Sequence, residues 1–225
     1  MMKLEDCVIV SAVRIPIGKF GGTLKDFKVF DLGGEVIRAA IERAGIKPDM
    51  VDEVIMSHTR QDGTGTNPAR TAALKGGVPI EVPAHTVNKV CAAGLKAVSL
   101  ATQAIRLGDA DIVVVGGMES MSNIPHLLRG GRFNGFRLTN ITLEDGFLYI
   151  ICPFCGLSPG GIAERAADKH NISREQQDQI GYDSHRRAVQ AWEDGVFDKE
   201  VVPVTIPATR KKPEFVYSKD ECIRP

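Results

Sequence analysis

The pattern that most constrains the fold is a strand, a helix and a second strand in close succession. His85-Thr86-Val87 resembles a short buried strand, apolar residues at helical spacing follow over 90–107, and the unbroken apolar run 112–115 comes next. Such fully apolar strands are typical of parallel sheets that helices cover on both faces. Parallel strands joined through a helix require a right-handed crossover. We therefore predict a layered α/β fold.

The N-terminal part of the chain fits the same α/β fold, whereas residues 122–161 do not. The apolar run 7–13 predicts a buried strand, and residues 51–57 predict another strand. Asp31 fits the N-cap of a helix that Gly45 ends. Residues 122–161 keep no regular period and are rich in glycine, arginine, asparagine and proline, so we expect a long excursion that forms a lid or a binding surface.

Charge and cysteine content exclude several classes of partner. Lysine plus arginine and aspartate plus glutamate number 28 each, so no net charge attracts the chain to nucleic acid or to an anionic membrane. The apolar N-terminal run is too short for a signal peptide or a membrane span, and we expect a cytoplasmic protein. Five cysteines, irregularly spaced, predict reduced thiols.

Cys91 lies where the short strand ends and the next helix is predicted to begin. The first turn of a helix has unpaired N–H groups and a partial positive charge, which favour a thiolate that can be acylated. Ala92, Ala93 and Gly94 leave room for a thioester substrate to approach. The alternative is a cysteine that acts only as a small buried hydrophobic residue, and local context does not decide between the two.

Four stretches, in the same order along the chain, resemble the thiolase family. Residues 88–97, Asn-Lys-Val-Cys-Ala-Ala-Gly-Leu-Lys-Ala, are similar to the family's acyl-cysteine signature Asn-x-x-Cys-Ala-Ser-Gly-x-x-Ala. Residues 8–22, 116–122 and 171–178 resemble further family segments. The chain thus resembles the N-terminal half of a thiolase, either an acetyl-CoA C-acetyltransferase or a 3-ketoacyl-CoA thiolase.

The resemblance implies a fold and a reaction. It implies a thiolase-like layered α-β-α half-fold with a mixed sheet in residues 1–118. Residues 119–225 would form an irregular helical loop domain that covers coenzyme A and is incomplete at its C-terminal end. Cys91 would take an acyl group from an acyl-CoA, or attack the keto carbon of a 3-ketoacyl-CoA, in Claisen condensation or thiolytic cleavage. Coenzyme A thioesters are substrates, and we expect no cofactor and no metal.

Two motifs of the family's second half do not occur in this sequence: Gly-His-Pro, and Cys-x-Gly-Gly-Gly. We therefore expect another polypeptide to supply that half in a hetero-oligomer of fatty acid metabolism, and little turnover without it. A fragment of a longer chain and a non-catalytic assembly subunit are the alternatives. The histidines present occur in contexts unrelated to these motifs: His58, His85, His126, His170 and His185.

The resemblance also suggests residues on the coenzyme A side of the site. Ser158-Pro159-Gly160 stand where many thiolases have His-Met-Gly, which implies a reshaped acyl pocket. Phe147 replaces a leucine that packs on coenzyme A, with a core phenylalanine as the alternative. Arg224 matches an arginine near the nucleotide phosphates, a role that suits a guanidinium group, with a solvated side chain as the alternative.

The segment Cys152-Pro153-Phe154-Cys155 suggests a function other than acyl transfer. Its spacing is typical of a redox dithiol or of half a zinc site. A zinc site needs a second pair of ligands that the sequence does not offer, and a thioredoxin-like frame is not predicted here. Unpaired loop thiols are the favoured interpretation, and a redox-active dithiol protein is the alternative function.

Overall fold

The computed structural model describes residues 6–133, 135–210 and 212–224. Their contacts group into two compact units, one running up to Asn123 and including Phe197–Cys222, the other comprising Ile124–Val196 and the residues from Ile223 onward. Most of the segment after α5, Phe197–Cys222, therefore belongs to the first unit by its contacts. The predicted division into domains 1–118 and 119–225 stays a prediction.

The helices and strands are numbered in chain order. The α-helices are α1 Val29–Ala44, α2 Pro68–Lys75, α3 Ala93–Leu107, α4 Pro159–Lys169 and α5 Arg174–Glu193. The strands are β1 Glu53–Ser57, β2 Ala84–Val87, β3 Val113–Gly117, β4 His126–Leu127, β5 Glu144–Asp145, β6 Val204–Ile206 and β7 Phe215–Tyr217. Short 3-10 helices cover Pro48–Met50, Met121–Asn123 and Gly146–Ile150.

A three-stranded sheet in the order β2-β1-β3 organises the first unit. Both pairings are parallel, and Val54 of β1 lies opposite Ala84 of β2 and Val114 of β3. The helices α2 and α3 connect successive strands, so the predicted layered α/β fold is confirmed. Only parallel pairs occur among the described strands of this sheet, and the antiparallel member of the predicted mixed sheet is not among them.

Successive side chains of β1 pack against two different helical layers. Val54 and Met56 belong to a core cluster with α1 and α2, which includes Ala69. Ile55, on the opposite face, packs with Ala97 and with Ala101 of α3. This follows from the two-residue period of a strand, because successive side chains point to opposite faces. Small residues on α3 let the helix approach the sheet closely.

Two predictions about the first 31 residues are wrong. Residues 7–13 are outside any strand, because no described strand pairs with them, and Val8, Ile9 and Val10 are exposed. A strand needs a neighbour, and an apolar run alone does not supply one. Helix α1 begins at Val29 rather than after Asp31, whose carboxylate instead lies in the first turn, 2.7 Å from Lys75 Nζ.

The second unit contains the predicted irregular excursion. The two-residue strands β4 and β5 pair antiparallel, and a 3-10 helix, Gly146–Ile150, follows them. Regular helix resumes at α4 and α5, and α5 starts with a complete capping box between Ser173 and Gln176. This part of the chain therefore depends on turns and caps more than on a sheet core.

Helix α3 exposes several apolar side chains, among polar ones, on its outer face. Residues Val90–Leu107 meet the length and composition of a membrane-crossing helix, although a single such helix is weak evidence because a core helix passes the same test. One face packs on the sheet through its alanines, whereas Leu95 is 80% exposed. We interpret α3 as a helical layer of the α/β fold whose solvent-exposed side includes apolar residues.

Candidate active site

The three parallel strands end at one edge of the sheet, and the candidate site lies there. Strand β1 ends at Ser57, β2 at Val87 and β3 at Gly117, and the register places these ends side by side. Ligands of open parallel sheets bind beyond the carboxyl ends of the strands. The residues that follow these strands are therefore the first candidates for function.

Cys91 follows β2 and is exposed to solvent. The helix α3 begins at Ala93 with Ala92 as its N-cap residue, so Cys91 precedes the cap rather than lying in the first turn as predicted. Ala92 makes no side-chain capping hydrogen bond. The start of α3 thus has N–H groups that a side-chain cap does not occupy, close in sequence to an accessible sulfur.

Val90, directly before Cys91, has an unusual backbone conformation. Its φ is +51°, in the left-handed region that β-branched residues rarely adopt. Such a conformation costs about 1–2 kcal/mol and persists only where the surrounding structure fixes it. The turn into α3 is therefore strained at the residue that orients the cysteine.

Hydrogen bonds from a neighbouring loop hold this turn. The Val90 N–H donates to Asn88 Oδ1 at 2.9 Å, and Asn88 Nδ2 donates to the Thr59 carbonyl at 3.1 Å. The Thr59 N–H in turn donates to Glu119 Oε2 at 2.9 Å. Asn88, Thr59 and Glu119, which we call the support network, link the chain segments that leave β2, β1 and β3.

His58 and Glu119 form a close pair beneath this network. His58 is 2% exposed, and its Nδ1 lies 3.0 Å from Glu119 Oε1. The approach is poorly aligned, and within the described chain neither ring nitrogen makes a hydrogen bond of regular geometry. Burial raises the pKa of Glu119, but the His58 ring and the N–H groups of Thr59 and Arg60 outweigh it, and the net pKa is lowered. Glu119 is therefore held as a carboxylate.

The other predicted site residues lie in the second unit. The Ser158 hydroxyl accepts the Gly161 N–H at 3.2 Å as the N-cap of α4, and Pro159 occupies its first turn. Phe147 is half-buried in the Gly146–Ile150 helix. Arg224 is exposed, and its backbone N–H donates to His185 Nδ1 at 3.2 Å. Cys91 belongs to the first unit, so no single compact unit contains all the predicted residues.

Sequence reasoning missed the support network and His58. A signal existed for two of its residues, because Asn88 opens the cysteine signature and Glu119 lies in the segment 116–122. For His58 and Thr59 the only signal was their position directly after an apolar strand. Their roles follow from strand pairing, which brings together residues about 30 and 60 positions apart in the chain.

The fold and the site define an α/β protein with an accessible cysteine at the carboxyl edge of a parallel sheet. The family model of the thiolase N-terminal domain matches residues 7–225. A probable acetyl-CoA acyltransferase of Staphylococcus epidermidis is 48% identical over 220 residues, which are 97% of this chain and 55% of that protein. An acetyl-CoA acetyltransferase of Cupriavidus necator is 47% identical over 223 residues, covering 98% and 56% of the two proteins.

A solved structure agrees with these sequence relatives. The crystal structure of the Bacillus anthracis acetyl-CoA acetyltransferase superposes with a TM-score of 0.94 at 39% identity, covering all of this chain and 56% of that one. The chain belongs to the thiolase family, and the predicted family and thiolase-like fold are confirmed. It spans little more than half the length of these relatives.

Proposed function

We propose that this chain is the acyl-accepting half of a thiolase, in which Cys91 forms an acyl-enzyme with the acyl group of a coenzyme A thioester. The observation that carries the proposal is the placement of Cys91, exposed ahead of a helix start that has no side-chain cap. Membership of the thiolase family supports the substrate class. Claisen condensation and thiolytic cleavage both pass through this intermediate.

In the acylation step the Cys91 sulfur attacks the carbonyl carbon of the substrate. A new C–S bond forms, and either the coenzyme A thiolate leaves or the bond to the α-carbon of a 3-ketoacyl-CoA breaks, which leaves an enolate that must be protonated. Backbone N–H groups at the start of α3 suit the oxygen that becomes negative during attack. The support network keeps the turn that contains Val90 in place.

In this proposal a second polypeptide brings the acid–base groups that the family places in its other half. The Gly-His-Pro and Cys-x-Gly-Gly-Gly motifs are absent from this sequence, and this chain matches only 55–56% of its relatives' length. Proton transfer at the thiol and at the substrate α-carbon needs such groups. On the coenzyme A side, Phe147, Pro159 and Arg224 are the proposed contacts. Ser158 would shape the pocket mainly through the start of α4, which its hydroxyl caps.

Apolar surface in the first unit supports docking of that second half. Leu95 and Val98 lie exposed on α3. An apolar groove runs between the outer edge of β3 and residues 7–11, and α3 contributes to its wall. Open strand edges and contiguous apolar patches are typical of surfaces that another element covers. We propose that the second half covers α3 and that a segment of its polypeptide chain occupies this groove.

Leu95→Asp tests this assembly. Because Leu95 is 80% exposed, the variant should keep the circular dichroism and unfolding midpoint of the wild type as an isolated chain. Its affinity for a polypeptide carrying the two missing motifs should fall roughly 100-fold, on the order of 3 kcal/mol, because the interface would bury an unpaired charge. Titration calorimetry or analytical ultracentrifugation gives the affinity.

Leu138→Asp is the matched control, since Leu138 is also exposed but belongs to the second unit. It should bind the second half like the wild type. Unchanged affinity of Leu95→Asp would rule out docking over α3. Assembly without any acyl transfer would favour the non-catalytic subunit.

A further inference from the structure

The second unit contains a loop whose two cysteines are not used by the proposed acyl transfer. The loop lies between the Gly146–Ile150 helix and α4. The Cys152 N–H donates to the Leu157 carbonyl, and the Gly156 N–H donates to the Cys152 carbonyl, both at 2.9 Å. The chain thus closes on itself and keeps both thiols within one tight turn. The two sulfurs are therefore placed by local backbone geometry.

The two thiols of the loop differ in their surroundings. Hydrogen bonds from the Cys155 N–H, the Phe154 N–H and the Cys155 thiol lower the pKa of Cys152. These donors stabilise a thiolate, in the manner of the attacking cysteine in dithiol motifs of this spacing. Cys155 donates a hydrogen bond to Cys152, so the two cysteines have different roles.

Solvent reaches the pair. Cys155 is exposed and Cys152 is partly exposed, so a small solute can approach both. Among the described residues no group of three or more histidine, cysteine, aspartate or glutamate side chains is placed to hold a metal ion. Two thiols alone do not complete a tetrahedral zinc site. Chemistry between the two sulfurs is the use that the geometry favours.

We propose that Cys152 and Cys155 form a reversible dithiol–disulfide couple that exchanges with small-molecule disulfides. The Cys152 thiolate attacks one sulfur of a disulfide RSSR, which forms a Cys152–S–S–R bond and releases RS⁻. Cys155 then loses its proton to solvent and attacks the Cys152 sulfur, which releases the second RS⁻. The protein is oxidised by two electrons, and RSSR is reduced to two thiols.

This couple uses neither Cys91 nor the support network, because its thiols and the hydrogen bonds of its loop belong to the second unit. The oxidant class, a low-molecular-weight disulfide, needs no binding pocket beyond access to the thiolate. Oxidation would fix the turn that leads directly to Ser158 and the start of α4. The couple therefore adds a thiol–disulfide activity to the half-thiolase.

The test uses the wild-type chain, equilibrated over a series of glutathione to glutathione disulfide ratios, quenched by alkylation and analysed by intact mass and peptide mapping. The expected result is one transition in which the peptide containing both cysteines loses two hydrogens and gains no alkyl group. Before oxidation, Cys152 should alkylate faster than Cys222 at neutral pH. Its lowered pKa leaves more of the Cys152 thiol as thiolate, and the weaker nucleophilicity of a less basic thiolate cancels this gain only in part.

Single variants assign the roles. In Cys155→Ser the glutathione adduct on Cys152 should persist, because no thiol remains to resolve it, whereas Cys222→Ser, the control for another exposed cysteine, should behave like the wild type. Persistent adducts on both cysteines of the wild type, with no internal disulfide at any ratio, would overturn the proposal. Faster alkylation of Cys222 than of Cys152 would contradict it as well, and neither result bears on acylation of Cys91.

Discussion

Two loops in this protein place cysteines a few residues before a helix, and they differ in what surrounds the sulfur. Cys91 precedes α3, whose N-cap residue Ala92 offers no side-chain hydrogen bond, and the backbone around it is held by residues from other strands. Cys152 and Cys155 precede α4, whose first turn Ser158 caps. Their hydrogen bonds remain within their own loop.

We interpret this difference as one between a sulfur placed for a ligand and two sulfurs placed for each other. At α3 the helix start has no side-chain cap, and the support network holds the strained backbone at Val90, next to Cys91. At α4 the Ser158 hydroxyl accepts one N–H group of the first turn, and hydrogen bonds within the loop lower the pKa of Cys152. Acyl chemistry is therefore expected at the first loop and thiol exchange at the second.

The largest expected effect contrasts the two loops directly. In the assembled enzyme, Cys91→Ala should lower turnover of acyl-CoA by at least about 10³-fold, because removal of a nucleophile leaves no acyl-enzyme. Cys152→Ala should change turnover less than about threefold, since its sulfur is not used in acyl transfer. Steady-state assay of the two variants gives the ratio. Equal losses would remove the distinction between the loops.

Substitution of Val90 is the next test, because backbone strain is proposed only in the loop that contains Cys91. Val90→Asn should stabilise the isolated chain by about 1 kcal/mol, since asparagine tolerates positive φ and Val90 is 63% exposed. Val90→Ala has the same conformational problem and should change stability by less than about 0.5 kcal/mol. Urea unfolding measures both. A gain for alanine equal to that for asparagine would show that strain is not the cause.

Ser158 tests the claim that the second loop leads into a capped helix. Ser158→Ala should cost about 1 kcal/mol of local stability in α4, because it removes the acceptor for the Gly161 N–H. Ser158→Gly should cost only a few tenths of a kcal/mol, since glycine is tolerated at the N-cap. Hydrogen exchange of the α4 amides reports the difference. Identical protection in both variants would mean that the hydroxyl does not cap the helix.

Glu119 gives the smallest effect and tests the support network through pH. A carboxyl group whose pKa is lowered on folding stabilises the protein above its unfolded value of about 4.3, and this contribution disappears as pH falls through the lower folded pKa. Glu119→Gln should therefore cost about 0.5–1 kcal/mol at pH 7 and less at an acid pH below the unfolded value.

Urea unfolding at both pH values measures this loss, with Glu164→Gln on α4 as a control outside the network. A loss for Glu119→Gln that is the same at neutral and acid pH would show that the charge of Glu119 is not what holds Thr59 and His58.

The sequence was a good guide where structure is local. The strands β1 and β3 follow from short stretches centred on consecutive apolar residues, and the end of α1 at Gly45 follows from the left-handed conformation of that glycine. Residues 7–13 have the same apolar character but no described strand beside them, and composition cannot reveal that. At α1 the residue preference for Asp31 as a cap was overridden by a start three residues earlier.

Of the candidate active site, the sequence predicted Cys91 but not the residues that surround it. Cys91 was identified from its signature, whereas the partners of Glu119 become visible only when parallel pairing brings the ends of β1 and β3 together. The strain at Val90 could not be predicted, because a valine suggests extended backbone. The Cys152–Cys155 spacing was noticed in the sequence, but the hydrogen bonds that lower the pKa of Cys152 required the structure.

The central claim is that Cys91 carries the acyl group. The most direct measurement incubates the chain, assembled with a polypeptide that carries the two missing motifs, with acetyl-CoA, followed by acid quench and peptide mapping. We predict one acetyl group on the peptide that contains Cys91, and none on the peptide that contains Cys152 and Cys155. An acetyl group on the second peptide, or on neither, would contradict it.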